Sequence, residues 1–277
     1  MTTLALTPED YAAFRTFLQE VSGIVLGDNK QYLVTSRLSR LMQETGLESF
    51  GALMRQLKID SKLRHRIMDA MTTNETSWFR DSYPFDILKE HILPELAKGQ
   101  PRQIRIWSAA CSTGQEAYSI SMTIAEYQLA NPGALSTFIE IVGTDISPTV
   151  LKMARDAVYD EINIVRGLSE ERRDRYLVKQ DDKWKMRDAI KAPARFAELN
   201  LLNSYSLLGK FDIIFCRNVL IYFSTESKTD ILNRMAQILN PGGYLILGGS
   251  ESPTGYSPAY EMVRYQQGVI YRLKGTW

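Results

Sequence analysis

A loop of small residues is the first feature of the sequence that could bind a ligand. Residues 108–114 read Ser-Ala-Ala-Cys-Ser-Thr-Gly and follow a short β-rich run. Small side chains let a backbone turn sharply and approach a ligand closely at the carboxyl end of a parallel strand. The loop lacks the G-x-G-x-x-G pattern of pyrophosphate sites, which favours a nucleoside with a small, non-phosphate tail. A close-packed strand–helix turn is the alternative.

Two acids follow this loop at positions that suit a nucleoside cofactor. Asp145 ends the next β-rich run, 31 residues beyond Gly114, where an acid can accept hydrogen bonds from two ribose hydroxyls. It could instead begin the turn before Ser147. Glu116 opens the helix after the loop, where the helix dipole alone favours an acid, and it would also suit a sulfonium or ammonium group. Acids without a lysine argue against phosphate and indicate a cationic cofactor, S-adenosylmethionine.

Two further polar segments could complete such a site. The segment 216–223 ends an apolar run and contains Arg217, Asn218 and Tyr222, and strand ends face the ligand crevice of an open α/β sheet. The segment 72–80 reads Thr-Thr-Asn-Glu-Thr-Ser-Trp-Phe-Arg and joins two regions of different pattern. Surface polarity at a strand end and simple helix capping are the alternatives for these segments.

The composition is that of a globular chain. Its 277 residues are 44% hydrophobic and 23% charged, with a formal charge of +1, which excludes disorder and argues against a general nucleic-acid binder. Two cysteines and two histidines make a metal cage improbable and fit a reducing, cytoplasmic environment. Cys111 and Cys216 are interpreted as packing residues rather than nucleophiles. No run approaches the ~20 apolar residues of a membrane span, and residues 1–7 show no secretory signal pattern.

The elements that must position these residues divide the chain into two regions. The first is helical, with Thr7 and Asp60 at predicted helix starts and Gly23 and Gly46 at predicted stops;. The second alternates strands with helices, which predicts a parallel sheet with helices on both faces. Residues 160–195 break the alternation and predict a small antiparallel insert. The predicted helices cover about 8–22, 30–45, 49–57, 60–71, 115–130, 147–159 and 225–239, and the predicted strands 104–107, 138–142, 211–216, 244–247 and 269–272.

Several motifs occurring in order make the chain resemble the chemotaxis receptor methyltransferases of the CheR family. The motifs are TTNETSWFR (72–80), IRIWSAACSTGQEAYS (104–119), GTDISPTVLKMAR (143–155), AELNLL (197–202), FDIIFCRNVLIYF (211–223) and PGGYLILGGSES (241–252). The resemblance implies an α/β fold, the class I (Rossmann-like) S-adenosylmethionine methyltransferase sheet. It also implies an all-α N-terminal domain at 1–75, a linker and connecting helix at 76–102, and a methyltransferase domain at 103–277 with a β-subdomain at about 158–195.

The resemblance also implies the activity and the site. The family transfers a methyl group from S-adenosylmethionine to glutamate carboxylates of membrane chemoreceptors, giving glutamyl methyl esters and S-adenosylhomocysteine, without a metal. Arg80 and Tyr222 are expected beside the transferred methyl group as catalytic residues. The expected cofactor-binding residues are Asn74, Thr76, Arg80, Glu116, Asp145, Asn200, Leu201, Arg217 and Asn218.

The expected partners follow from the same resemblance. They are the helical cytoplasmic domain of chemoreceptors and a regulatory protein, with no nucleic acid and no membrane insertion, in a cytoplasmic protein recruited to receptor arrays. Residues 28–66 hold eight basic and four acidic residues, and Lys30, Arg37 and Arg40 recur at the spacing of one helix face;. This face could steer an acidic receptor, or it could be an ordinary solvated surface.

Departures from the family pattern and rival functions also bear on the interpretation. Some relatives bind a receptor pentapeptide through a glycine-containing loop, but residues 179–184 hold no glycine, which favours pentapeptide-independent action. Gln115, Ala117 and Trp78 replace commoner residues without loss of Glu116 or of aromatic character. One rival function is methylation of a small molecule or nucleic acid. The other is an S-adenosylmethionine-binding regulatory module without receptor methylation.

Overall fold

Four helices form the N-terminal part of the protein, and local capping residues set their ends. In α1 the Thr7 hydroxyl accepts a hydrogen bond from the Asp10 amide, and Asp60 caps α4 through the Leu63 amide. Gly23 and Gly46 end two helices in the left-handed conformation, with φ of 77° and 67°, which costs glycine little. The four predicted helices are confirmed as α1 (Pro8–Ser22), α2 (Gln31–Thr45), α3 (Phe50–Leu57) and α4 (Ser61–Met71).

The computed structural model describes residues 6–275. The expected absence of a secretory signal concerns residues 1–7, most of which lie outside the described residues. Within residues 6–275, no helix combines the length and the apolar character that crossing a membrane requires.

Strands and helices alternate through the rest of the chain. A continuous helical stretch comes first, in which a π-helical turn (Leu88–Ile92) joins two α-helices. The elements in chain order are α5 (Tyr83–Ile87), α6 (Leu93–Lys98), β1 (Gln103–Ala109), α7 (Gln115–Ala130), β2 (Phe138–Asp145), α8 (Pro148–Asp156), β3 (Val158–Asp160), α9 (Glu161–Val165), α10 (Glu170–Tyr176), β4 (Leu177–Gln180), β5 (Lys183–Met186), α11 (Asp188–Lys191), β6 (Ala194–Glu198), β7 (Phe211–Cys216), α12 (Thr225–Ile238), β8 (Leu239–Leu247), β9 (Tyr260–Arg264) and β10 (Val269–Leu273).

Seven of the strands form one sheet, in the order β6-β2-β1-β7-β8-β10-β9. The strands from β6 to β8 are parallel, whereas β10 runs antiparallel to both β8 and β9. The predicted α/β class is therefore confirmed, with a mixed sheet in place of a wholly parallel one. The predicted antiparallel insert is also confirmed as a separate sheet of order β3-β5-β4.

Side chains of the central strands alternate between two cores, as strand geometry requires. Ile104 and Ile106 of β1 are fully buried in a core that also holds residues of α5 and α7. Trp107 and Ala109 point to the opposite core, which includes the apolar face of α12. A third core lies within α1–α4. The sheet is thus covered on both faces, and its carboxyl edge is left to face the helical region.

Four details differ from the sequence predictions. The predicted helix to residue 159 ends at Asp156, because Ala157 takes a left-handed φ of 52° and the chain enters β3. Residues 241–243, predicted as a turn, lie within β8 near a register irregularity. The strand β9 was not predicted, and residues 194–195, predicted as insert, belong to β6 in the main sheet.

Candidate functional site

A cleft of about 1020 Å³, partly open to solvent, lies between the carboxyl edge of the sheet and the helical region. A smaller pocket of about 330 Å³ adjoins it and shares several of its lining residues. Thr76 and Glu116 line only the smaller pocket, and Lys30 and Arg40 line neither. The predicted site residues that line the main cleft are Arg37, Asn74, Arg80, Asp145, Asn200, Leu201, Arg217, Asn218 and Tyr222.

The loop after β1 turns as sharply as its small residues allow. Ala110, Ser112 and Gly114 all have positive φ, of 55°, 50° and 93°. A Cβ on Gly114 would lie 3.0 Å from the Ala154 side chain, so the loop packs closely on α8. The Ser112 hydroxyl donates to the Asn74 carbonyl oxygen at 2.8 Å, which ties the segment 72–80 to this loop. Ser112 also lines both pockets, a position that sequence reasoning did not single out.

Asp145 ends β2 with its carboxylate held by backbone amides. Oδ2 accepts from the Ser112 amide at 2.9 Å, and Oδ1 accepts from the Ser147 amide at 3.0 Å. The predicted role at the turn before Ser147 is therefore also real. A carboxylate has four acceptor positions in all, so these two bonds do not use its full capacity. Burial raises the pKa of Asp145 above its usual value, against the opposing effect of these amides.

Arg217 and Glu116 form a buried ion pair at the junction of the two pockets. Nη1 of Arg217 lies 3.0 Å from Oε2 of Glu116, and Nη2 lies 2.8 Å from Oδ2 of Asp81. The Ser108 hydroxyl donates to the other Glu116 oxygen at 2.7 Å. The Glu116 carboxylate therefore accepts hydrogen bonds from Arg217 and Ser108. A cationic cofactor group, the contact predicted for Glu116, would have to bind the same carboxylate alongside these two donors.

Asn218 presents an unsatisfied acceptor to the site. Its backbone has a φ of 57°, a conformation that asparagine tolerates better than most residues. Its Oδ1 is buried, and no hydrogen-bond partner for it occurs among residues 6–275. A buried amide oxygen without a partner costs free energy, so a ligand that donates to it would be stabilised.

The helical region supplies one wall of the cleft, which the sequence did not reveal. The Val25 amide donates to the Tyr222 carbonyl at 2.9 Å, and Nδ2 of Asn200 donates to the Val21 carbonyl at 2.6 Å. A Cβ on Gly23 would lie 2.3 Å from the Phe223 ring, so only glycine permits this approach. The apolar lining from this wall consists of Ile24, Val25, Leu26 and Leu33.

Arg37 and Asp69 fasten the helical region to the cleft. Arg37 Nη1 donates to the Met71 carbonyl at 2.6 Å and more weakly to the Thr72 carbonyl. Asp69 of α4 accepts from the Thr149 hydroxyl of α8 at 2.6 Å. Arg37 is thus half-buried and bound to the chain that leads into Asn74, which differs from the solvent-facing role expected of it.

The other two residues of the expected basic face, Lys30 and Arg40, are exposed. Nζ of Lys30 lies 5.8 Å from the centre of the Tyr32 ring. Nε of Arg40 lies 2.8 Å from Glu44, which also binds Arg66. Lys30 and Arg40 therefore remain at the surface, whereas Arg37 is hydrogen-bonded to backbone carbonyls.

The buried thiols have surroundings that suppress reactivity. Cys111 and Cys216 are almost fully buried, and burial raises the pKa of both thiols well above its usual value. A thiol that stays protonated is a poor nucleophile, so both act as packing residues. Within the described part of the chain, no group of three or more His, Cys, Asp or Glu side chains is placed to hold a metal ion.

The parts of the cleft fit a nucleoside with a small charged tail. Each Asp145 carboxylate oxygen accepts one backbone amide, Asn218 Oδ1 is buried without a partner among residues 6–275, and the wall from the helical region is apolar. The site lies at the carboxyl ends of adjacent parallel strands, where α/β sheets bind ligands. This combination fits the class of S-adenosylmethionine-dependent α/β methyltransferases.

Two family models then specify the family. The model described as "CheR methyltransferase, all-alpha domain" matches residues 9–72, and "CheR methyltransferase, SAM binding domain" matches residues 74–269. The chain therefore belongs to the CheR methyltransferase family, and its cofactor is S-adenosylmethionine. The resemblance drawn from the sequence motifs is confirmed.

Curated relatives match over almost the whole chain. The "Chemotaxis protein methyltransferase Cher2" of Pseudomonas putida is 50% identical over 269 residues, covering 96% of this chain and 98% of the relative. The "Chemotaxis protein methyltransferase" of Vibrio parahaemolyticus is 52% identical over 277 residues, covering 99% and 100%. That of Salmonella typhimurium is 34% identical over 256 residues, covering 90% and 85%.

Proposed function

We propose that the protein methylates glutamate side-chain carboxylates of membrane chemoreceptors, forming glutamyl methyl esters and S-adenosylhomocysteine in chemotactic adaptation. The names of the curated relatives support the chemotaxis role. The observation that supports a carboxylate substrate is that the Arg80 guanidinium, in the cleft, makes only a long hydrogen bond to the Glu75 carbonyl among the described residues.

Arg80 is the cleft arginine best able to receive a carboxylate. Its Nη1 donates to the Glu75 carbonyl at 3.3 Å, which is a long hydrogen bond;. By contrast, both terminal nitrogens of Arg217 are paired with Glu116 and Asp81, and Arg37 is bonded to backbone carbonyls. A guanidinium has five N–H donors and no acceptor, and the one hydrogen bond that the Arg80 guanidinium makes within residues 6–275 uses only Nη1. Arg80 therefore keeps donors for an incoming glutamate.

The chemistry asks the protein to position and desolvate its substrate. A glutamate carboxylate has a pKa of about 4.3 in water and is ionised at pH 7, so no general base is needed. S-adenosylmethionine, when bound, supplies an electrophilic methyl group on a sulfonium. Arg80 holds the carboxylate through one oxygen, which leaves the other oxygen reactive, and Tyr222 orients it by hydrogen bonding. Closing the cleft around the carboxylate removes water that would weaken the nucleophile.

The residues proposed to hold the cofactor are those brought to the two pockets. Asp145 accepts from the ribose, and Asn218 accepts through its free Oδ1. Glu116 and Arg217, already paired, shape the end that receives the amino-acid part. Asn74, Thr76, Asn200 and Leu201 complete the surroundings of the cofactor.

The helical region is proposed to meet the receptor. Lys30 and Arg40 are exposed cations outside the cleft, and such charges steer an acidic helical surface toward the site. The turn between β4 and β5 is built on Asp181, with a φ of 55°, in place of a glycine. We therefore place receptor recognition on the helical region, without a pentapeptide, in a cytoplasmic protein recruited to receptor arrays.

The test is methyl transfer to a purified receptor signalling fragment from methyl-labelled S-adenosylmethionine. We expect label in the receptor that mild base releases as methanol, because carboxyl methyl esters hydrolyse under these conditions. A receptor fragment with its candidate glutamates changed to alanine is the control. Cofactor binding without labelled receptor would contradict the proposal and favour the regulatory module.

A further inference from the structure

We infer that Glu251 is a positioning residue that holds the cofactor-binding and catalytic ends of the segment 217–222 through its two separate carboxylate oxygens. This inference rests on the proposed function for the roles of Asn218 and Tyr222. It concerns a residue for which neither the sequence motifs nor the cleft lining gave a role.

The Glu251 carboxylate collects three backbone amides from two neighbouring strand ends. Oε2 accepts from the Asn218 amide at 2.7 Å and from the Gly248 amide at 2.9 Å. Oε1 accepts from the Ile221 amide at 3.3 Å. The loop after β7 is therefore bound to the end of β8 through one side chain.

The close packing around this carboxylate shows that the arrangement is specific. A Cβ on Gly248 would lie 2.7 Å from Oε2 of Glu251 and 2.9 Å from the amide nitrogen of Asn218. Glycine is thus required for the three groups to meet. Asn218 is held in its left-handed conformation there, and its buried Oδ1 has no hydrogen-bond partner in the described part of the chain.

The two oxygens support different ends of the segment. The Oε2 bonds fix the backbone of Asn218, which we place at the cofactor. The Oε1 bond fixes the amide of Ile221, the residue before Tyr222, which we place at the reacting carboxylate. A change that disables only one oxygen should therefore separate cofactor binding from turnover.

The variant Glu251→Gln should separate cofactor binding from turnover. A glutamine keeps one acceptor oxygen with two acceptor positions and replaces the other by an NH₂ group that only donates. The oxygen will stay with the two shorter bonds, so the NH₂ will face the Ile221 N–H, donor against donor. We expect faster hydrogen exchange at the Ile221 amide with unchanged protection of the Asn218 amide.

Binding and turnover should follow the same division. For Glu251→Gln we expect the Kd for S-adenosylhomocysteine to change less than about threefold while kcat falls about tenfold, the effect of one lost bond to a charged group. For Glu251→Ala we expect both the Kd to weaken and kcat to fall by about tenfold or more. Glu261→Gln, an exposed acid on β9, is the matched control and should change neither quantity.

Several results would overturn the inference. Equal effects of Glu251→Gln on the Kd and on kcat would show that the oxygens do not act separately. Unchanged exchange at Ile221 would show that the contact is not formed. If Glu251→Ala proves unfolded by urea titration, Glu251→Gln decides alone. Absence of receptor methylation by the unmodified protein would contradict the proposed function, while the exchange and Kd measurements would still decide the role of Glu251.

Discussion

The Arg217 guanidinium and the Glu116 carboxylate form an ion pair of 3.0 Å in which the two side chains are only 2% and 13% exposed. Removing the partner of a buried cation lowers the stability of the fold far more than removing the partner of an exposed one. The buried cation keeps its desolvation penalty but loses the attraction that offset it. The pair therefore braces the junction of the two pockets.

Removing the charge of Glu116 should destabilise the fold. We expect Glu116→Gln to lower the free energy of unfolding by about 2 kcal/mol, a moderate value because Asp81 still pairs with Arg217;. Urea unfolding at pH 7 measures it. Glu44→Gln breaks an exposed pair with Arg40 and should cost less than about 0.5 kcal/mol. A similar loss in both variants would contradict the bracing role.

Removing the Tyr222 hydroxyl should affect turnover more than cofactor affinity. We expect Tyr222→Phe to lower kcat by about tenfold or more, the loss of one orienting hydrogen bond worth roughly 1.4 kcal/mol. The Kd for S-adenosylhomocysteine should change less than about twofold, because the phenyl ring still lines the cleft. Steady-state kinetics and calorimetry measure the two quantities. Equal losses would rule out the orienting role.

Removing the guanidinium of Arg80 should weaken capture of the acceptor carboxylate. We expect Arg80→Gln to raise KM for the receptor fragment by roughly tenfold to a hundredfold, the range for a lost bond to a charged group. Arg80→Lys should recover part of the loss, since a lysine keeps the positive charge and can still donate to one carboxylate oxygen. Arg102→Gln, an exposed change away from the cleft, is the control.

Cofactor affinity should depend on pH through Asp145. Burial raises the pKa of Asp145 above its usual value of 3.8. As the pH is lowered, Asp145 should therefore become protonated, and the affinity for S-adenosylhomocysteine should fall, at a higher pH than for an exposed aspartate. Over the same window the folded protein holds the proton more tightly than the unfolded chain, so the free energy of unfolding falls as pH rises.

The variant Asp145→Asn tests that assignment. It should weaken the Kd by about tenfold at pH 7, since an NH₂ group then faces a backbone donor. Its Kd should also lose the pH dependence at the acid end. Calorimetric titrations at several pH values measure both effects. A pH profile unchanged from that of the unmodified protein would assign the dependence to another group.

Arg37 and Arg40 should respond differently to charge reversal. Arg40→Glu should raise KM for the receptor at low salt, and the effect should fade as salt screens it. Arg37→Glu should weaken cofactor binding at any salt, because its guanidinium holds the Met71 and Thr72 carbonyls beside the cleft. Kinetics at two ionic strengths separate these outcomes. Identical salt dependence in both variants would restore the single basic face.

Local signals explain what the sequence could predict. Thr7 and Asp60 cap helices through hydrogen bonds to residues three positions on, so short patterns located those ends. The edge strand β9 escaped prediction because its exposed side chains include Glu261 and Arg264, which mask the apolar alternation. The end of α8 at Ala157 carries no glycine and so gave no stop signal.

Long-range contacts explain what the sequence could not predict. The spacing of Arg37 on α2 indicated which side of the helix it occupies. No local pattern shows that the Met71 carbonyl lies within hydrogen-bond distance of its guanidinium. The pairing of Glu116 with Arg217 and the support of Asn218 by Glu251 likewise join residues far apart in the chain. The motifs located most of the cleft residues, whereas their mutual hydrogen bonds required the fold.

The wall that Val25 and Tyr222 join has a consequence for biosynthesis. Val25 is synthesised early and Tyr222 late. The nascent chain can therefore form the helices α1–α4 long before the residues on the other side of the cleft have been made. Domains that fold during synthesis generally do so from the N-terminus. Ligand capture must therefore wait until β7 has joined the sheet, and a translation product truncated before Tyr222 would lack one side of the cofactor pocket.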